Sequence, residues 1–179
     1  LKNQLPQIIG YGDLRGDLQM HTKWSDGANT IEEMANKARE IGLEYIAITD
    51  HVRGTMDGRV GEKELNKQGQ EIDKINAKLK MQGIQFKILK GAEVDILSDG
   101  KLFMKDEVLK KLDIVGASIH SNFKMPKQKM TERIIRAIKN PNIDILFHPT
   151  GRLINERPPY EIDIERIIKT AKEPKTVLE

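Results

Sequence analysis

The sequence contains no cysteine. That excludes a thiolate nucleophile, zinc–thiolate sites and any disulfide framework. Aromatic residues make up only 4% of the chain, with a single tryptophan. Little material is left for the stacking platforms on which single-stranded nucleic acid is usually held. No apolar run reaches the length of a membrane span, and no signal peptide opens the chain. Together these absences lead to the expectation of a cytoplasmic protein with no membrane partner. Neither sign of charge dominates: 30 Lys and Arg stand against 27 Asp and Glu, for a net charge of +3. Such a balance attracts a polyanion mildly and does not define a dedicated basic patch. Low-complexity segments and motifs repeated at a fixed period are also missing.

What is present is enough for one domain. The 179 residues can bury a sizeable core, and residues 1–179 read as a single unit. The chain opens on Leu1 and stops at Thr176-Val177-Leu178-Glu179, which reads as the start of a strand. Both ends suggest a piece of a longer protein, cut before its last strand or strands. Short β-branched runs at Leu14–Met20, Tyr45–Thr49, Phe86–Val94, Ile114–Ile119, Ile143–Phe147 and Lys175–Glu179 are predicted as strands. Several are apolar throughout, as strands covered on both faces are. Between them lie helical patterns. Thr30 with Glu33 forms a capping box for a helix that Gly42 stops. Further helices are expected over Glu62–Met81, Asp106–Leu112, Met130–Lys139 and Asp163–Lys172. Arg53–Val60, with glycines nearby, reads as a mobile loop, and Asn155–Tyr160, with Pro158 and Pro159, as a stiffer one. Strand and helix alternating about six times predicts an α/β fold, a mostly parallel sheet or barrel.

The histidines all fall on one kind of position. His21, His51, His120 and His148 each follow an apolar run, and so does the carboxylate Glu93. In a parallel β/α barrel the C-terminal strand ends converge on the face that carries the active site. A lone histidine after a strand usually packs or caps, but four of four with a carboxylate point to a metal site. With only nitrogen and oxygen donors, the ion would be zinc, manganese, iron or a similar divalent cation. Asp26, in the Ser25-Asp26-Gly27 turn, lies within reach of the same face. The strand parity of Asp50 turns it away from His51, so it reads as either a supporting residue or a ligand. Trp24 reads either as a contact to a base or sugar or as a plug in the barrel mouth.

The segments GDLQMHTKWSDG, EYIAITDH, GAEVDIL, VGASIH and DILFHPTGRL resemble the motifs of the polymerase-and-histidinol-phosphatase (PHP) superfamily. More narrowly, the stretch from ASIHSNF to FHPTGRL resembles the C-terminal PHP domain of bacterial and archaeal family X DNA polymerases. The resemblance implies a distorted seven-stranded β/α (TIM-like) barrel with up to three divalent ions, manganese or zinc. Carried over position by position, it implies Gln19, His21 and Glu93 at one metal, in a motif where the family has His-x-His. Glu93 would bridge to a second metal held by His120 and His148, and Asp26 with His51 would hold a third. Gln19 is a weaker ligand than imidazole, and an expected C-terminal Asp-x-His is absent. One well-held metal and reduced occupancy elsewhere follow. Glu93, His120, His148 and Asp50 are the implied catalytic residues. Arg152, Lys23 and Arg53 are the candidate cations for an anionic substrate, and Arg59, Lys124 and Lys127 are weaker ones. The implied activity is hydrolysis of phosphodiesters at DNA 3′ ends, of 3′–5′ exonuclease type, in DNA repair. The implied partners are DNA 3′ ends and a polymerase domain in the same parent chain. Two alternatives remain: a degenerate module with a structural or DNA-binding role, and a histidinol-phosphatase-like monoesterase.

Overall fold

The computed structural model describes residues 8–52 and 60–179. Seven strands form one sheet among these residues: β1 (Gly16–Met20), β2 (Tyr45–Ile48), β3 (His51–Val52), β4 (Lys87–Asp95), β5 (Ile114–Ser118), β6 (Ile145–Leu146) and β7 (Val177–Leu178). Five helices alternate with them: α1 (Ile31–Glu40), α2 (Glu62–Met81), α3 (Asp106–Leu109), α4 (Lys127–Ile138) and α5 (Ile164–Ala171). The strand order is β1-β2-β4-β5-β6-β7, with β3 also on β4, and every ladder between these strands is parallel. The sheet curls into a TIM-like half-barrel, and no ladder joins β1 to β7 among the described residues. No helix among them is long and apolar enough to cross a membrane.

Local chemistry sets the elements. Thr30 accepts from the Glu33 amide at 3.2 Å while its own amide donates to the Glu33 carboxylate at 2.7 Å, so the expected capping box starts α1. Gly42 follows the helix at φ +89°, where a side chain would be strained. α4 begins three residues before the expected Met130, because Pro126 occupies its N-cap and brings its own backbone geometry. The Tyr45–Thr49 run breaks after Ile48, and pairing with β4 resumes at His51. The break frees Thr49 to bond β1: its amide donates to Met20 O at 2.8 Å and its hydroxyl accepts from the Met20 amide at 3.0 Å.

Two apolar cores lie against the sheet. One joins α1 and α2 to β2 and the first half of β4, with Ile31, Ile46, Ile48, Ile72 and Ile88 fully buried. The larger joins α4 and α5 to β3, β5 and the second half of β4, around Val94, Ala117, Met130, Ile134 and Ile167. Trp24 packs against both, and its Nε1 donates to Glu71 at 3.0 Å. Of its two readings, the structure favours the plug.

Gly116 is in register with Glu93 across β4 and β5. A Cβ there would fall 1.8 Å from Cε2 of Phe147, whose ring takes the space beside the strand. Gly116→Ala is expected to cost about 1–3 kcal/mol in chemical denaturation. Adding Phe147→Leu should recover part of it.

Candidate metal centre

The strand ends deliver the side chains. His21 follows β1, His51 opens β3, Glu93 lies in β4, and His120 and His148 each stand two residues past β5 and β6. His51 pairs in register with Glu93, which puts an imidazole and a carboxylate side by side at the mouth.

Glu93 is the hub, fully buried. Its Oε2 meets His21 Nε2 at 3.3 Å and His51 Nδ1 at 3.2 Å. Its Oε1 meets His120 Nε2 at 3.1 Å and His148 Nε2 at 2.8 Å. The carboxylate therefore bridges two imidazole pairs, one on each oxygen. The rings pack in series: His21 stacks on His51 at 4.4 Å between centroids, His51 meets His120 edge-on at 4.9 Å, and His120 meets His148 at 5.4 Å. Burial pushes the Glu93 carboxyl up. Hydrogen bonds from His120, His148 and His21 and the charge of His51 outweigh it and hold the carboxyl far below the usual carboxylate range. Burial pulls His21 down, but Glu93, Asp26 and Asp50 overcome it and raise His21 above the ordinary imidazole value.

Asp26 closes one side of the cluster. Its Oδ2 is 3.3 Å from His51 Nε2 and its Oδ1 is 3.9 Å from His21 Nδ1. The Ser25 and Gly27 amides both donate to Thr22 O, at 3.0 and 2.9 Å, which folds the turn back over β1. Gly27 is required there, because a Cβ would lie 2.4 Å from the His21 carbonyl oxygen.

Asp50 is placed differently from a ligand. Fully buried, it accepts from the Thr22 amide and hydroxyl at 2.6 Å each, from Ser25 Oγ at 2.5 Å and from Gln68 Nε2 at 2.7 Å. Those four bonds use its lone pairs to fix the turn that carries Asp26. Gln19 stands between two carboxylates: its amide is 3.5 Å from Glu93 Oε2, and with oxygen and nitrogen exchanged it donates to Glu179 Oε1 at 2.5 Å. The exchanged orientation ties Gln19 to Glu179, the residue that follows β7. Glu179 also accepts from the His148 amide at 2.6 Å. His148 sits at φ +30°, a conformation costly for a side-chain-bearing residue and one often found where function holds it in place.

Asp95 was not singled out by sequence. It stands two residues beyond Glu93, hence on the same face of β4, and its Oδ1 lies 2.7 Å from His120 Nδ1, with Ser118 Oγ at 3.2 Å. A carboxylate on Nδ1 fixes the ring so that Nε2 faces Glu93. The i+2 spacing from Glu93 was the available signal.

The candidate substrate cations separate. Arg152 is exposed four residues past His148 on the mouth side of β6. Lys23 lines a cleft of about 300 Å³ with Trp24, Thr30, Ile31 and Glu71, on the side facing α1 and α2. Arg53 and Arg59 lie outside the described residues. The loop after β6 is pinned by Tyr160, whose ring stacks on Phe123 at 6.2 Å and fills the space beside Gly151. Burial pushes the Tyr160 phenol up to about 12. The raised folded value means its stabilising contribution is complete below the unfolded value of about 10 and is lost as pH rises toward 12. Over that window wild type should lose more stability than Tyr160→Phe in pH-jump denaturation.

Two donor sets fit a divalent ion: His21, Asp26 and His51, and His51, Glu93 and His120, with their ligand atoms within 4.8 Å of one another. The buried His21 Nδ1 has no hydrogen-bond partner among the described residues, as an unengaged ligand atom would. Imidazoles and carboxylates suit zinc, manganese and similar ions. The family model of the PHP domain matches residues 17–175. The chain belongs to the PHP domain family. This PHP domain is 46% identical over 175 residues to the DNA polymerase/3′-5′ exonuclease PolX of Bacillus subtilis, covering 97% of this chain and 30% of that protein. It is 39% identical over 166 residues to a probable phosphatase of Caldanaerobacter subterraneus, covering 88% of this chain and 58% of the relative. The chain thus spans less than two thirds of both relatives. Its fold matches that of histidinol phosphate phosphatase from Lactococcus lactis, solved with zinc, L-histidinol and phosphate, at TM-score 0.60 and 18% identity, over 92% of this chain and 72% of that one. The family and these relatives support a phosphoesterase.

Proposed function

We propose that this PHP domain hydrolyses phosphodiesters at DNA 3′ ends, as a metal-dependent 3′–5′ exonuclease acting in repair alongside a polymerase domain of the same parent chain. The observation that carries the hydrolytic part is the Glu93 carboxylate held between two imidazole pairs. The substrate class is supported by the 46% identity with PolX. Bound divalent ions would supply Lewis-acid polarisation of the phosphoryl oxygens and activation of water. Glu93 with His21, His51, His120, His148 and Asp26 would hold them. Gln19 would contribute through Glu179 and the mouth of β7. Asp95 would keep His120 Nε2 aimed inward, and Asp50 would keep the Asp26 turn in place rather than touch substrate. Arg152, and more remotely Lys23, would draw in the phosphate backbone, and Arg53 is a further candidate cation by sequence alone.

The identity with a probable phosphatase favours a second reading, a small-molecule monoesterase. The chain is incubated with manganese or zinc and, in parallel, a 5′-labelled oligonucleotide and p-nitrophenyl phosphate. The first reading expects stepwise shortening of the oligonucleotide from its 3′ end. Rapid monoester turnover with the oligonucleotide intact would establish the second instead.

A further inference from the structure

A short hairpin rises from the mouth directly after His148. Leu153 and Arg157 exchange two backbone hydrogen bonds, at 2.9 and 3.0 Å, and the Glu156 amide also donates to Leu153 O at 3.1 Å. Asn155 takes φ +63° at the turn, a conformation asparagine tolerates better than most residues. The base of the hairpin is fastened three ways. Arg157 Nε donates to Gly151 O at 3.0 Å, the Arg157 guanidinium lies 3.9 Å over the Phe123 ring, and the Tyr160 amide donates to Thr150 O at 3.1 Å. The tip is therefore stiff, and beside the polar Asn155 and Glu156 it holds up two aliphatic side chains: Ile154 is 73% exposed and Leu153 46%. Arg152 is exposed and lies in the chain between His148 and this tip. A single exposed isoleucine would carry nothing. Two adjacent aliphatic side chains on a fastened turn, with an exposed arginine between them and His148 in the chain, present a different combination.

Cleavage at a 3′ end inside a recessed cluster of ligands requires the terminal nucleotide to leave its stack and partner. An aromatic platform could hold it, but the described aromatics near the mouth are committed: Trp24 to the two cores, and Phe123 and Tyr160 to each other. Apolar side chains pushed against a base step do the same work by unstacking it. We propose that the 153–157 hairpin is a wedge: Leu153 and Ile154 press on the terminal base pair of a duplex DNA end and free its 3′ strand for the metal centre, while Arg152 holds the freed backbone. The proposal rests on the reading of the centre as one that acts at DNA 3′ ends.

Wild type, Ile154→Ser and the Leu153→Ser/Ile154→Ser pair are compared on one oligonucleotide, single-stranded and as a blunt duplex. The wedge predicts a fall of about tenfold in the duplex-to-single-strand rate ratio for the pair. A ratio within about twofold of wild type overturns it. The same duplex carrying 2-aminopurine at its 3′ terminus reads fraying without cleavage. With saturating wild type and divalent ions removed by EDTA, so that metal-dependent hydrolysis is off, its fluorescence should rise, and with the double variant the rise should be lost. If wild type cleaves neither DNA but hydrolyses p-nitrophenyl phosphate, the exonuclease reading fails, and the fluorescence still decides: a rise that the variants abolish supports the wedge, and no rise overturns it.

Discussion

Glu93→Gln is expected to lower phosphoester hydrolysis about a hundred- to a thousandfold and to weaken metal binding, with the fold retained. Glutamine has nearly the volume of glutamate, so the buried space around position 93 stays filled. It supplies one acceptor oxygen where two now face His21 with His51 and His120 with His148. Its amide nitrogen would present protons to one imidazole pair that needs an acceptor. The negative charge that the four imidazoles face also disappears. Losing several kcal/mol of charge stabilisation at the reacting centre corresponds to two to three powers of ten in rate. The check is steady-state hydrolysis with titrated manganese, alongside circular dichroism to confirm the fold. Activity within about threefold of wild type would remove Glu93 from the site.

Arg133→Met should be the most destabilising single change outside that cluster, by about 3 kcal/mol. Arg133 on α4 is almost wholly buried. Its guanidinium donates to Leu97 O and Ser121 O at 2.9 Å each, to Ile96 O, and to Ser121 Oγ at 3.3 Å. These acceptors belong to the chain leaving β4 and the chain leaving β5, one residue after His120. Methionine fills the volume and leaves the carbonyls without a donor. For a chain of this size the thermal midpoint should drop by about 6–12 °C. Arg133→Lys, with a point charge in place of a fork, should recover only part. A midpoint within about 2 °C of wild type for the methionine variant would contradict this role.

These two residues show where the sequence was readable. Glu93 and the four histidines were legible because each ends an apolar run, and parallel strands bring such ends together. The family resemblance and the TIM-like architecture were legible for the same reason: period, caps and strand-end chemistry are local. Arg133 was not. On its helix it looks like any basic residue, and its burial depends on two loops turning carbonyls toward it from 12 and 37 positions away. Asp95 carries little local signal, because a carboxylate at a strand's end is common. Only the position of His120, 25 residues on, gives it a partner. The role of Asp50 was half visible: parity turned it from His51, but the four donors it binds come from two separate segments, the Thr22–Ser25 turn and α2. The tie between Gln19 and Glu179 spans nearly the whole chain and has no local signature.

The central claim is that Glu93 divides two metal positions. Crystals of the chain grown with manganese, measured above and below the manganese absorption edge, test it directly. The account predicts anomalous density beside both Glu93 oxygens, one peak within ligand distance of His51 and one within ligand distance of His120. At saturating manganese, four imidazoles hydrogen-bonded straight to Glu93 with no anomalous peak between them would contradict it.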